Sequence, residues 1–279
     1  MTIRATRRAL LAMALTAAAL PASAVDKWDA AFSPLCGDDD LETCNELWPG
    51  AAPQTHDLQY DAADIGHDVD NMVIETKAGR SYEVRVVSSN LWLHSTACSG
   101  NCVPLTRRSA TSELQAGVAP SGQGPVAGAA TSLVVRWMSG EADERQWIRV
   151  SAGGFTGVQL TAADQYEIEL LDTTYHAARW NQVGSQTSVF VVQNTSPAAL
   201  DGAIRFYGPT GAVLHVQPFA LPRNGVYVFG AGSAPALAGQ SGSAAVVHTG
   251  GYGALNGKVV SLEPVTGFTF DTPLVPVPR

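Results

Sequence analysis

Cations are scarce in this chain. Lys and Arg make 17 of its 279 residues against 25 Asp and Glu, and three of those cations, Arg4, Arg7 and Arg8, fall in the first eight positions. Without them the rest carries 14 Lys+Arg, and the formal net charge drops from −8 to −11. A surface of that sign argues against a nucleic-acid backbone or an anionic lipid surface as partner. Helical periodicity is lacking too: between Asp68 and Leu170 no span supports a helix of 10 residues or more. Motifs for metal or nucleophile chemistry are equally thin. His56, His67, His94, His176, His215 and His248 stand one to an element, with no HExxH or H-x-H pair. The four cysteines form no CxxC, which removes the usual basis for a zinc site or a thioredoxin-like redox pair. In Gly239-Gln240-Ser241-Gly242-Ser243 the fifth residue is serine and no helix follows, so the stretch reads as a glycine turn rather than a nucleophile elbow.

What is present begins with an export signal. Arg4, Arg7 and Arg8 precede an apolar run from Ala9 to Leu20, then Pro21 and Ala22-Ser23-Ala24, the small-x-small form of a cleavage site before Val25. The run is 12 residues long, against roughly 20 needed to cross a bilayer as a helix. Residues 1–24 are therefore expected to be a signal peptide, and the mature chain to have no transmembrane segment. Thr6-Arg7-Arg8-Ala9-Leu10-Leu11 has the look of a twin-arginine signal, so the route can be general or twin-arginine. The destination is periplasmic or extracellular. In that oxidising setting Cys36, Cys44, Cys98 and Cys102 are expected to pair locally as Cys36–Cys44 and Cys98–Cys102, with three connectivities open.

Gly and Pro together make 43 residues and charged residues only 15%, a profile of strands and turns. Residues 25–56 read as a polar extension pinned by Trp28, Phe32, Leu35, Leu41, Leu47 and Trp48. Next come strands at Met72–Glu75, Tyr82–Val87, Leu133–Trp137, Gln146–Val150 and Gln165–Leu170. Tyr82, Val84 and Val86 alternate with Glu83 and Arg85, the period-two pattern of a strand with one wet face, and Lys77-Ala78-Gly79-Arg80 is the turn before it.

Asp68-Val69-Asp70, the Ala78-Gly79-Arg80-Ser81-Tyr82-Glu83-Val84 turn and strand, Trp147-Ile148-Arg149-Val150 and Asp164-Gln165-Tyr166-Glu167-Ile168 make residues 57–171 similar to the bacterial pre-peptidase C-terminal domain, a small jelly-roll-like sandwich of secreted proteins. The resemblance implies calcium near the Asp-x-Asp turn, at Asp68 and Asp70. The cation wants six to eight oxygens, which loop carboxylates and carbonyls can supply, although aspartates also cap turns.

Beyond Asp172 the residues Arg179, Trp180, Asn181 and Gln186 interrupt any period of two or 3.6, so 172–187 reads as a joint. Seven further strand-like runs between Ser188 and Phe270, separated by turn residues, make 188–271 a second sandwich. The tail 272–279 holds three prolines and is expected to lie extended on the surface. The fold class is all-β: two tandem antiparallel β-sandwiches, jelly-roll or immunoglobulin-like. The function expected is a non-enzymatic binding or display module for carbohydrate, a cell-surface polymer or a partner protein, with Trp92, Tyr175, Trp180, Tyr207 and Tyr252 as rings for a binding face. The competing readings are a secreted hydrolase with a cleft at the joint lined by Asp172, His176 and Arg179, and a structural envelope component.

Overall fold

The computed structural model describes residues 45–58, 69–88, 105–109, 112–115, 132–151 and 165–279. Residues 1–24, the four cysteines, Asp68 and Trp92 lie outside them. Two groups of strands form. The first comprises β1 (Gln54–Asp57), β2 (Val69–Thr76), β3 (Ser81–Val87), β4 (Leu105–Arg108), β5 (Glu113–Gln115), β6 (Ser132–Met138), β7 (Glu144–Ser151) and β8 (Gln165–Asp172). The second comprises β9 (Tyr175–Asn181), β10 (Thr187–Asn194), β11 (Leu200–Tyr207), β12 (Val213–Leu221), β13 (Val226–Gly230), β14 (Ser241–His248), β15 (Leu255–Glu263), β16 (Phe268–Pro273) and β17 (Val275–Pro276). Two short 3-10 turns separate β13 from β14. The fold is all-β, and its ladders are antiparallel.

Alternation in the sequence becomes layering in space. In the first sandwich the sheets run β1-β8-β3-β6 and β2-β7-β4-β5. Tyr82, Val84 and Val86 of β3 point inward beside Leu133, Val135 and Trp137 of β6 and Tyr166, Ile168 and Leu170 of β8. Met72, Ile74, Leu105, Ile148 and Val150 meet them from the other sheet. The second sandwich pairs β12-β11-β14-β9-β17 with β13-β10-β15-β16 around a separate core that includes Trp180, Phe190, Ile204, Phe206 and Val246. A fully buried aliphatic or Phe side chain contributes about 1.5–3 kcal/mol relative to exposure, so each core favours its own assembly.

Several expectations change. Lys77–Arg80 links strands of different sheets, since β2 pairs with β7 while β3 pairs with β6 and β8. The turn is held from outside: Gly79 N–H donates to Gly140 O at 2.8 Å and Ser139 N–H to Arg80 O at 2.7 Å, so two sheet-to-sheet turns bind each other. The sequence reading missed β4, which pairs with β7, and β5, which pairs with β4. The tail is more than a surface segment: Leu274 is buried in the second core, and Val275–Pro276 pairs with the edge of β9. Proline is tolerated there because an edge strand has one side free of ladder bonds.

The joint shrinks from 172–187 to two residues, Thr173 and Thr174, because Tyr175–Asn181 is a strand lying between β14 and β17. Its missing period has a local cause. Trp180 pairs with Gly242 and Ala177 with Ala244, so Ala178 and Arg179 together face Ser243 in a β-bulge. The extra residue breaks the alternation by which a strand is read.

Candidate interaction site

The two sandwiches meet through backbone that is fully hydrogen-bonded. Thr173 and Thr174 are buried. Thr173 N–H donates to Ser81 O at 2.8 Å, Ser81 N–H donates to Thr174 Oγ1 at 2.9 Å, and Val277 N–H donates to Thr174 O at 3.1 Å. Asp172 accepts Arg80 Nη1 at 2.8 Å and Thr174 N–H at 2.9 Å. His248, fully buried on β14, lies 2.9 Å from Thr173 O through Nε2 and accepts Gly250 N–H at Nδ1 over 3.0 Å. These partners require the neutral Nε2–H tautomer. Burial pushes the His248 pKa down from 6.5 to about 4.

Beside this joint the outer face of β3 is dry at Ser81 and Glu83 and opens to water only toward Arg85 and Val87. Glu83 is fully buried and is held by Arg85 and by Arg136 Nε at 2.6 Å. Arg85 continues to Glu169 at 3.2 Å, and Glu169 accepts Arg279 Nη2 at 2.8 Å. Arg279 in turn lies over the Tyr252 ring, 5.7 Å from its centroid. The chain of alternating charges therefore runs from Arg136 on β6 through Glu83, Arg85 and Glu169 to Arg279, which also touches Tyr252 of the second sandwich. Gly251 of the second sandwich covers it so closely that an added Cβ would stand 2.7 Å from Glu83 Oε2. A second tie crosses at Arg205 of β11, whose guanidinium is bidentate with Glu141 and packs on Gly79. Gly79 has φ +63, and a Cβ there would meet Arg205 Nε at 2.3 Å, so both backbone and space exclude a side chain. The Glu141 ion pair holds the Arg205 pKa above its ordinary value.

This geometry decides where the expected site residues stand. The rings of Trp180 (0% exposed) and Tyr175 (4%) are core rings, a correction to their place on a binding face. Trp180 Nε1 donates to Ser243 O at 2.9 Å, the carbonyl opposite the bulge, which is why an indole can be buried there. Tyr252 is half-buried, its hydroxyl donating to Val277 O at 2.9 Å. Tyr207 is half-buried at the end of β11. The structure does not collect these four rings on one exposed face. Asp70 lies in β2, buried, and accepts the Tyr166 hydroxyl, so it is a strand residue rather than a loop residue. Of the joint trio, Asp172 is engaged by Arg80, and burial lowers the His176 pKa, with Arg80 adding to the effect. Arg179 is exposed in the bulge. Ser241 opens β14 after the glycine turn. Among the described residues no group of three or more His, Cys, Asp or Glu side chains is placed to hold a metal ion.

An open face stands elsewhere. Val189 and Val191 of β10 pair with Gly230 and Val228 of β13 and with Val260 and Lys258 of β15, while Thr187 pairs with Leu262. Cross-strand partners share a face, and the inward residues here are Phe190, Val192, Phe229 and Val259. Val189, Val191, Val226, Val228, Val260 and Leu262 therefore share one largely aliphatic outer surface, bordered on the β15–β16 side by the Lys258–Asp271 ion pair, with Val226 54% and Val228 61% exposed. Sequence reasoning missed it, although the signal existed: Ser188–Gln193 and Val226–Phe229 have apolar residues at both parities, which a one-faced strand does not need.

No family model matches the chain, and no curated protein does. Among solved structures it is similar to Bacteroides uniformis β-glucuronidase 2 covalently bound to cyclophellitol-6-carboxylate aziridine, at 13% identity and a TM-score of 0.23, covering 80% of this chain and 27% of that one. A second Bacteroides uniformis β-glucuronidase structure gives 12% identity, a TM-score of 0.22, and coverage of 80% and 27%. A calcium-binding mutant of β-glucuronidase 2 gives 12%, 0.21, and coverage of 91% and 31%. The chain thus spans under a third of the length of these structures, and at such TM-scores the likeness establishes neither a common fold nor an activity. No helix among the described residues is long and apolar enough to cross a membrane.

Proposed function

We propose that the chain is an exported, non-enzymatic display module that binds a partner protein through the outer face of β13-β10-β15-β16. The carrying observation is that aliphatic face, with Val226 and Val228 more than half exposed on a folded sheet. An apolar patch left in water on a sheet marks an interaction surface. Methyl groups offer no flat ring for a sugar to stack on, which favours protein over carbohydrate or another cell-surface polymer. The engagement of Asp172 by Arg80 at the packed joint supports binding over the hydrolase reading. Export rests on residues 1–24, and the likeness of residues 57–171 to pre-peptidase C-terminal domains agrees with an extracytoplasmic role.

The test immobilises the protein from Val25 onward and presents envelope proteins, glycans and a broad panel of hydrolase substrates. Saturable protein capture, lost in Val228→Lys and kept in Val216→Lys on another sheet, is the expected result. Glycan capture indifferent to Val228→Lys, or turnover of any substrate, would overturn it.

A further inference from the structure

We propose that a second copy of this chain pairs with the free edge of β16, joining two four-stranded sheets into one across a two-fold axis at Thr269. The β16 ladder with β15 runs without a register shift from Phe268 to Pro273, leaving the opposite side of β16 as an edge. Sheet edges are usually blunted by proline, lysine, bulges or shortness. The β12 edge has Pro218 and a register shift, and β17 is two residues long with Pro276. On the β13 edge the inward rings are already occupied, Tyr227 stacking on Phe219 and Phe229 on His215. By contrast, Phe268-Thr269-Phe270-Asp271-Thr272 runs without proline or lysine until Pro273 ends the strand, and Asp271 is held by Lys258 at 2.6 Å. Phe268 and Phe270 share the face of buried Val259, yet are 66% and 62% exposed.

The occupant follows from the pairing rule. Antiparallel partners must share a face, so a two-fold through β16 passes through a residue and allows few registers. With Thr269 on the axis, Phe268 of each copy faces Phe270 of the other, Thr269 faces Thr269, and Asp271 faces Gly267. Aromatic–aromatic and Thr–Thr are favourable cross-strand pairs, and no like charges are opposed. Moving the axis to Phe270 sets Phe268 against Thr272 and Thr269 against Asp271 and leaves the single ring pair of Phe270 with Phe270, one where the Thr269 register has two. In the Thr269 register the outer valine faces of the two copies lie on the same side of one sheet, which makes display bivalent. The pairing does not depend on that face being a binding surface, since it is read from assembly and not from capture.

Sedimentation equilibrium of the chain from Val25 tests it. The wild type should show a concentration-dependent dimer, and Phe268→Lys or Phe270→Glu alone should weaken it by about tenfold or more through two lost ring pairs. An equimolar mixture of the two variants should recover the dimer, because the introduced ammonium and carboxylate then face each other while the other Phe pair is kept. Both sites are largely exposed, so circular dichroism should remain β-type. As an independent measure, Thr269→Cys should yield a covalent dimer on mild oxidation and Asp271→Cys should not. A wild type that stays monomeric at every concentration, a dimer unmoved by either variant, or a mixture that does not recover would each overturn the proposal.

Discussion

Two sheet faces in this molecule are inverted relative to their chemistry. The outer face of β3, β6 and β8 carries Glu83, Arg85, Arg136 and Glu169 and is capped by the second sandwich at Glu83, which is fully buried, while Arg85 and Arg136 keep contact with water. The outer face of β10, β13 and β15 carries valines and stands open. The difference teaches that period-two alternation separates the faces of a strand but does not say which of them meets water. Buried carboxylates persist only when paired, and Glu83 is satisfied by two guanidinium groups from its own sheet before the second sandwich arrives. The charged face is therefore a prepared docking surface.

The largest expected effect comes from cutting the chain where the sequence places the joint. A fragment from Gln186 to Arg279 lacks β9, including Trp180, which leaves β14 without one of its two neighbours and β17 without its partner. It should be unfolded by circular dichroism, whereas a fragment from Thr173 onward should be β-rich. Trp180→Ala in the intact chain should cost about 3–5 kcal/mol through the cavity it leaves, melting the second sandwich rather than loosening the docking. A folded Gln186 fragment would show that β9 is an accessory strand.

What could be read from sequence follows the same physics. Strands β3, β6, β7, β8 and β10 are legible because each keeps unbroken alternation or a compact apolar run. Strand β9 is not, because its bulge spends two residues, Ala178 and Arg179, opposite one. Of the interaction site, the charged residues of β3 are legible as a polar face, but their burial depends on Gly251 and Arg279, about 170 or more positions away in sequence. Contacts between separate sandwiches leave no local period to detect.

Glu83→Ala breaks the inverted face directly. It removes the counter-charge shared by Arg85 and Arg136 and opens a gap under Gly251, although both arginines reach solvent and Arg85 keeps Glu169. Calorimetry should show one transition in the wild type separating into two, since the docking weakens while neither core is touched. A variant that unfolds in one transition at the wild-type temperature would mean that Glu83 is dispensable to docking.

Acid probes the same interface. The folded-state pKa of His248 is about 4 against 6.5 for the free group. The unfolded chain therefore takes up a proton first as pH falls. The stability contributed by neutral His248 is complete above pH 6.5 and is lost as pH falls toward 4, by about 3 kcal/mol in all. Glu83, Arg136, Arg80 and Tyr175 surround that region, so the measurement is the difference between wild type and His248→Gln across that window. Parallel pH profiles for the two proteins would assign the acid sensitivity to another group.

The smallest effect on stability is expected at the open face, and its smallness is what the comparison requires. Val228 is 61% exposed on an edge strand, so Val228→Lys removes little buried area and should change stability by no more than about 0.5 kcal/mol. The same substitution adds an unpaired hydrated ammonium beside Val191, on the flank away from the Lys258–Asp271 pair, which a docking partner would have to desolvate. Thermal unfolding should therefore be unchanged while partner capture falls. Equal losses in both would mean that the valines are covered within the folded chain, and the two faces would no longer be opposites.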